Sequence, residues 1–272
     1  MTPNELYDGR LSLVTTMSRD LLAAFRAWPL WVTLGWNDIR QRYRRSVLGP
    51  IWITLSVAVF IGLLGTIYST IFKIEIRTYL PYLTVGYIVW GFISQTTNES
   101  SIAFQEGERI IRQIKVPYSV FVLRVVWRNF IVFLHTIVIF VPIAVIFDVH
   151  PGLVSLLALP GLALVYLNQI WVTLVLAILC TRYRDVQQIV TTAVQIMLFV
   201  TPIMWPITAL GDTAIIAYVN PLYHLIDLVR APMLGDTPSS TSWLVAIACA
   251  AAGWTVAILL LQRASRRLVF WL

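Results

Sequence analysis

The chain has 272 residues, 58% of them hydrophobic and 12% charged, with a net charge of +7. A water-soluble domain carries about 25% charged residues, so this composition excludes an ordinary soluble protein and points to an integral membrane protein. The basicity does not indicate nucleic acid, because the charges sit between apolar blocks and build no basic folded surface.

Residues Met1 to Gly9 are polar and acidic, without an apolar stretch behind basic residues or a small-residue cleavage site, so no secretory peptide is expected. From 11 to 45, Leu11, Val14, Leu21, Leu22 and Phe25 recur at helical spacing. Trp28, Val32, Trp36, Ile39 and Tyr43 follow as a second stripe, opposed by Asn37, Asp38, Arg40, Gln41 and Arg44. Tryptophans on one face and arginines on the other predict a helix lying in the membrane interface. At its end Arg40, Arg42, Arg44 and Arg45 cluster before Gly49-Pro50. Proline suits the first helical turn, and glycine lets the interfacial helix turn into the bilayer.

Six uncharged blocks follow: 51–72, 78–98, 129–147, 151–181, 186–211 and 237–262, running from 19 to 31 residues. As helices each can cross about 30 Å of hydrocarbon. Six crossings put both termini on one side, and with that side cytoplasmic, Lys73, Arg77 and Arg230 are the three of 20 basic residues left outside. Positive-inside asymmetry therefore orients the chain. Residues 1–50 are a cytoplasmic N-terminus and interface helix, and 51–272 an all-α transmembrane domain.

Two outer loops are tiny. The third, from about Pro206 to Pro238, holds Ala214–Val219 and Leu222–Val229 around Asn220-Pro221, each too short to span and expected to dip into the outer leaflet as re-entrant helices. Inside, Gln105–Lys115 predicts a short amphipathic helix with Ile110, Ile111 and Ile114 on one face, ended by Pro117. The loop Thr181–Asp185 offers a second contact for a partner. In the last block Ser242, Ala246, Ala250 and Trp254 fall at fours beside Cys249 and Gly253, a strip that predicts close helix packing. Cys180 and Cys249 are expected at different depths, as buried thiols without a disulfide.

Enzymatic chemistry finds no constellation. There is no Gly-x-x-x-x-Gly-Lys-Ser/Thr loop, Lys73 and Lys115 are the two lysines, and His135, His150 and His224 form no metal-binding spacing. No charged residue lies in the six blocks, which disfavours ion coupling. Instead the blocks carry aromatic and neutral polar residues, among them Trp52, Tyr68, Tyr82, Tyr87, Trp90, Tyr166, Asn168, Gln169, Trp171, Gln195, Phe199 and Trp205. Singly these suit interfacial belts. Together they suit a path for a sugar chain, which needs flat rings to stack on.

Arg42-Tyr43-Arg44-Arg45-Ser46-Val47-Leu48-Gly49-Pro50-Ile51-Trp52 resembles the start of the first span in membrane subunits of ABC-2 type exporters of polysaccharide and polyol phosphate. Asn220-Pro221-Leu222-Tyr223-His224-Leu225-Ile226-Asp227-Leu228-Val229-Arg230 resembles that family's signature before the last span, and Phe199-Val200-Thr201-Pro202-Ile203-Met204-Trp205 its fifth-span end. The resemblance implies a non-catalytic permease of the bacterial inner membrane, pairing with a second copy of itself and with two ABC ATPase subunits. ATP and Mg would be bound by those subunits, with no cofactor in this chain. The cargo implied is an undecaprenyl-diphosphate-linked polysaccharide, O-antigen foremost. Capsule or teichoic acid export, small-molecule export, and an intramembrane polyprenyl-phosphate enzyme are the alternatives. By the same resemblance Glu106, Glu108, Arg109, Arg112, Arg184 and Asp185 would couple to the ATPase. Tyr68, Trp90, Phe199, Met204, Trp205, Asn220, Pro221, Tyr223 and His224 would line the channel and its outer gate. The cluster Arg40, Arg42, Arg44 and Arg45 would meet the diphosphate or lipid headgroup, for which the guanidinium fork is suited.

Overall fold

The computed structural model describes residues 13–44, 49, 51–207, 215–265 and 267–272, with residues 13–19 and 269 described in backbone only. Among them every regular element is helical. The N-terminal segment forms two helices instead of one, α1 (Leu13–Arg26) and α2 (Trp28–Arg42). Pro29 explains the break: without an N–H it cannot continue a helix, but it fits the first turn of a new one. The described arginines of the cluster follow at or just beyond the end of α2; Arg45 and Pro50 lie outside the described residues. Gly49 has a φ of 55°, in the left-handed region that glycine adopts without cost.

Next come α3 (Ile51–Phe72), α4 (Ile76–Ser100), the short α5 (Ala103–Gln113) and α6 (Ser119–Thr136). A 3-10 turn, Ile137–Ile139, joins α6 to α7 (Phe140–Phe147). The turn sits where Pro142 denies the Val138 carbonyl its usual helical donor, and tighter winding there keeps the rod continuous. After a 3-10 stretch (Gly152–Leu157) come α8 (Ala158–Arg182), α9 (Asp185–Val200), α10 (Ile215–Val219), α11 (Pro221–Leu234), α12 (Ser240–Ala264) and α13 (Leu268–Trp271).

Among the described residues, four helical stretches are long and apolar enough to cross a membrane: Ile51–Phe72, Ser119–Phe147, Gly152–Arg182 and Ser240–Ala264. At 25 residues α4 has the length but carries Arg77 and Glu99 near its ends, and α9 has 16 residues. Two block boundaries shift from the sequence expectation. The third block begins as helix at Ser119 instead of Asn129, so Arg124 and Arg128 are helical residues of a span. The fifth ends at Val200 instead of Gly211, because Pro202 holds Thr201 extended (φ −86°, ψ 136°); residues 208–214 lie outside the described part.

The core is centred on α4, packed by α3, α6, α8 and α11. Against it α3 buries only Ile61, Gly65 and Ser69, spaced by four. On α12 the strip Ser242, Ala246, Ala250, Gly253 and Ala257 is buried against α8, where Gly253 meets the Trp171 indole. Gly35 brings α2 onto α6 at Trp127, while Trp28 and Trp36 remain exposed. Trp28 and Trp36 thus stay on the exposed face, and Ile39 is buried on protein. Cys180 and Cys249 are both free.

Asp20 of α1 caps the start of α6 from outside that helix. Its carboxylate accepts from the backbone N–H groups of Tyr118 and Ser119 at 3.0 and 3.1 Å and from the Ser119 hydroxyl at 2.6 Å. Helix N-termini leave such donors unpaired and favour a negative charge. Asp20→Ala is expected to cost about 1 kcal/mol, the usual value of such a cap. Thermal unfolding of the detergent-solubilised protein checks it, and a melting point equal to that of the parent chain contradicts it.

Candidate functional site

The described residues bring six charged side chains together at one end of the bundle. Helical spacing prepares the pairs: Asp38 and Arg42 lie four apart on α2, and Arg124 and Arg128 four apart on α6, so each pair shares a helix face. Glu99 comes from the end of α4 and Glu106 from the first turns of α5. Arg124 grips Asp38 with two bonds, Nε to Oδ2 at 2.7 Å and Nη2 to Oδ1 at 2.6 Å. Arg128 is the hub. Its Nη1 donates to Asp38 at 3.0 Å and to Glu106 at 3.2 Å, and its Nε donates to Glu99 at 3.0 Å. Glu99 also accepts from Arg42 at 2.9 Å and from Asn129 at 2.7 Å. Three guanidinium groups thus face three carboxylates, tying α2, α4, α5 and α6 into one neutral cluster. Beside it, burial pushes the Tyr43 phenol above its ordinary value, although the adjoining Arg42 pulls the other way.

The predicted headgroup cluster is divided by this arrangement. Arg42 is engaged with Glu99, whereas Arg40 and Arg44 are exposed and in no ion pair among the described residues. The predicted coupling residues divide as well. Glu106 turns inward to Arg128, while Glu108 and Arg112 pair on the outer side of α5 at 2.9 Å and Arg109 is exposed. Arg184 and Asp185 are exposed at the start of α9. The inner side of α5 is pinned by Gly107, where a Cβ would lie 2.5 Å from the Phe121 ring. Ile110 and Ile111 pack inward, but Ile114 is exposed beyond the helix end.

At the opposite end, the segment after α9 is locked by side chains from α4 and α11. The Tyr79 hydroxyl donates to the Met204 carbonyl, and the Tyr82 hydroxyl to the Pro202 carbonyl at 3.1 Å. The Arg230 guanidinium donates to the same Pro202 carbonyl at 2.8 Å and stacks 4.1 Å from the Tyr82 ring centre. Asn220 caps α11, accepting from the Leu222 N–H at 3.0 Å, and its amide donates to the Thr201 hydroxyl at 2.9 Å. Pro221 occupies the first turn of α11. His224 is buried between the Ser242 hydroxyl (3.0 Å) and the Tyr218 carbonyl (2.8 Å), and Ser242 donates to Asp227 at 2.8 Å.

Met204, Trp205, Asn220, Pro221, Tyr223 and His224 therefore fall in one outer region, with the Trp205 indole donating to the Phe199 carbonyl. Phe199 itself is 68% exposed. Tyr68 stacks on Phe72 and Trp90 is buried in the core, so these two stand apart from that region. Sequence reasoning gave Asp20, Asp38, Glu99, Arg124 and Arg128 no role in a shared site. The signal available was the repeated spacing of four, Asp38 to Arg42 and Arg124 to Arg128.

Comparison with known proteins finds relatives of this chain. Two O-antigen export system permease proteins RfbA from Klebsiella pneumoniae are 24% and 25% identical over 202 and 205 residues, each covering 73% of this chain and 78% of the relative. A permease of the same name from Myxococcus xanthus is 22% identical over 206 residues, 74% of this chain and 79% of that protein. The profile of the ABC-2 type transporter family matches residues 29–234, a region that contains the whole charge network and the outer segment from α9 through α11. This chain belongs to the ABC-2 type transporter membrane family.

Proposed function

We propose that the chain is the membrane-spanning half of an ATP-driven exporter that moves undecaprenyl-diphosphate-linked polysaccharide, most closely O-antigen, from cytoplasm to periplasm. Two copies form the channel and two ABC ATPase subunits dock beneath them. In this reading the crossings are α3, α4, α6 with α7, α8, α9 and α12, both termini are cytoplasmic, and α10 and α11 dip into the outer leaflet of the bacterial inner membrane as gate helices. The names of the curated relatives support the cargo.

The observation that carries the channel is the surface of α9. Gln187, Gln188, Thr192 and Gln195 are exposed along an otherwise apolar helix, with Thr191 half-buried between them. Hydrocarbon offers glutamine amides no partner, so this face belongs against water and a second chain. The outward side of α3, with Leu55, Val59, Leu63 and Ile67 exposed at intervals of four, supplies a further apolar face for a second chain. Neutral amides and rings such as Phe199 let a sugar chain slide, where fixed charges would hold it.

Purification of the tagged chain from inner membranes tests the assignment. A stoichiometric ATPase subunit, ATP hydrolysis and a retained lipid-linked glycan are expected, and the glycan distinguishes O-antigen from capsule or teichoic acid. A lone chain without ATP hydrolysis refutes the reading.

A further inference from the structure

Of the three arginines in the charge network, one is exposed. Arg124 and Arg128 are enclosed, with side chains 13% and 4% exposed, whereas Arg42 is 44% exposed and sits beside the exposed Arg40 and Arg44. Arg42 touches the network once, through Nη2 on Glu99 Oε1. The other Glu99 oxygen is held by Arg128 and Asn129, and Arg128 divides its Nη1 between Asp38 and Glu106. Among the carboxylates, Asp38 and Glu99 are 15% and 19% exposed, while Glu106 on α5 is 32% exposed and has the longest bond to the hub, 3.2 Å.

Removing Arg42 leaves two arginines among three carboxylates. An unmatched charge in a shielded setting is costly, and it is relieved at the carboxylate that reaches water most readily. That carboxylate is Glu106, and its release detaches α5 from Arg128. We propose that a lipid-borne diphosphate draws Arg42 off Glu99, so that the Arg42–Glu99 pair is a latch through which cargo at the membrane face frees α5. A diphosphate offers more charge and more acceptor oxygens than one carboxylate, in a geometry that suits the guanidinium fork. Arg40 and Arg44 add two neighbouring cations to hold it. The latch rests on the reading of α5 as the helix that faces the ATPase.

The test uses the permease with its ATPase subunit in phosphatidylcholine vesicles, with and without undecaprenyl diphosphate, and follows ATP hydrolysis. In the parent complex the lipid raises hydrolysis about fivefold or more, the scale of coupling that two-state elements carry. Arg42→Gln leaves the network one cation short, so hydrolysis is high without the lipid and rises no further with it. Glu99→Gln cuts the same ion pair but leaves two arginines facing two carboxylates. Its α5 stays engaged, and hydrolysis stays low with or without lipid. Arg42→Lys preserves the charge balance and responds only at higher lipid concentration, which keeps the test valid should the glutamine variant not fold.

One variant fixed high and the other fixed low, from two substitutions that break one bond, are not what a purely structural ion pair produces. Arg42→Gln and Glu99→Gln both fixed high, or both fixed low, overturn the latch. So does a parent complex that answers free pyrophosphate or phosphatidylglycerol as strongly as the lipid diphosphate, or one that hydrolyses ATP and ignores the lipid. A parent chain that recruits no ATPase refutes the exporter reading instead.

Discussion

Arg128→Met is expected to lower the unfolding free energy of the detergent-solubilised permease by about 3–5 kcal/mol, the cost of leaving buried charges without their partner. Methionine keeps much of the volume and lets the apolar stem continue to pack, so the loss reports the guanidinium. That group is 4% exposed and contacts carboxylates on three different helices, Asp38 of α2, Glu99 of α4 and Glu106 of α5. Without it Glu99 keeps Arg42 and Asn129, Asp38 keeps Arg124, and Glu106 has no partner in the network. At this chain length such a loss corresponds to roughly 10 °C in melting temperature. Arg112→Met is the comparison. Its ion pair with Glu108 lies on one exposed face, 53% and 41% exposed, and is worth at most about 0.5 kcal/mol as an i,i+4 pair. Equal melting shifts for the two variants would mean that Arg128 contributes no more than a surface charge.

Gly161→Ala has the next largest expected effect, and it acts at the other side of the molecule. A Cβ at Gly161 of α8 would lie 2.3 Å from the Leu228 carbonyl oxygen and 2.9 Å from its carbon. Both are backbone atoms of α11, so no side-chain rotation relieves the contact. One helix must shift, at a cost of about 1–3 kcal/mol for an overpacked site. Leu228 lies two residues before Arg230, whose bond to Pro202 ties α11 to the segment after α9. Displacing α11 therefore loosens the outer region as well as the core. Faster hydrogen exchange from Pro221 to Leu234 is expected, together with a lower melting point. Gly62→Ala is the control, since nothing lies within 4 Å of the Cβ it would add. There alanine's better helix propensity raises stability by up to about 1 kcal/mol. Similar exchange in the two variants would rule out the close α8–α11 contact.

The two ends of the molecule were legible to different degrees. The short helix following Asn220-Pro221 was visible because a first-turn proline is a local signal; the Asn220 side chain adds a cap there. The amphipathic α5 was visible for a similar reason, since its isoleucines recur at helical spacing and Pro117 follows. The single interfacial helix was not, because the apolar stripes on either side of Pro29 keep helical spacing while the proline interrupts the hydrogen-bond ladder. Counting uncharged residues also misplaced the start of α6. It treats Arg124 and Arg128 as the edge of a block, although both lie in a helix that begins at Ser119.

By itself the sequence determined the class of solvent, the helical architecture, the apolar stretches and the small-residue strip on α12, because these follow from composition and from periodicity within one element. Only the tertiary structure decided what the charges do. Asp20, Asp38, Glu99 and Arg128 take their partners from other helices, and Arg230 takes its partner from the segment after α9, at separations of 22 to 99 residues. No local pattern encodes such pairings. They arise when packing brings helix faces together and a buried charge, too costly to leave alone, takes the nearest opposite charge or open carbonyl it can reach.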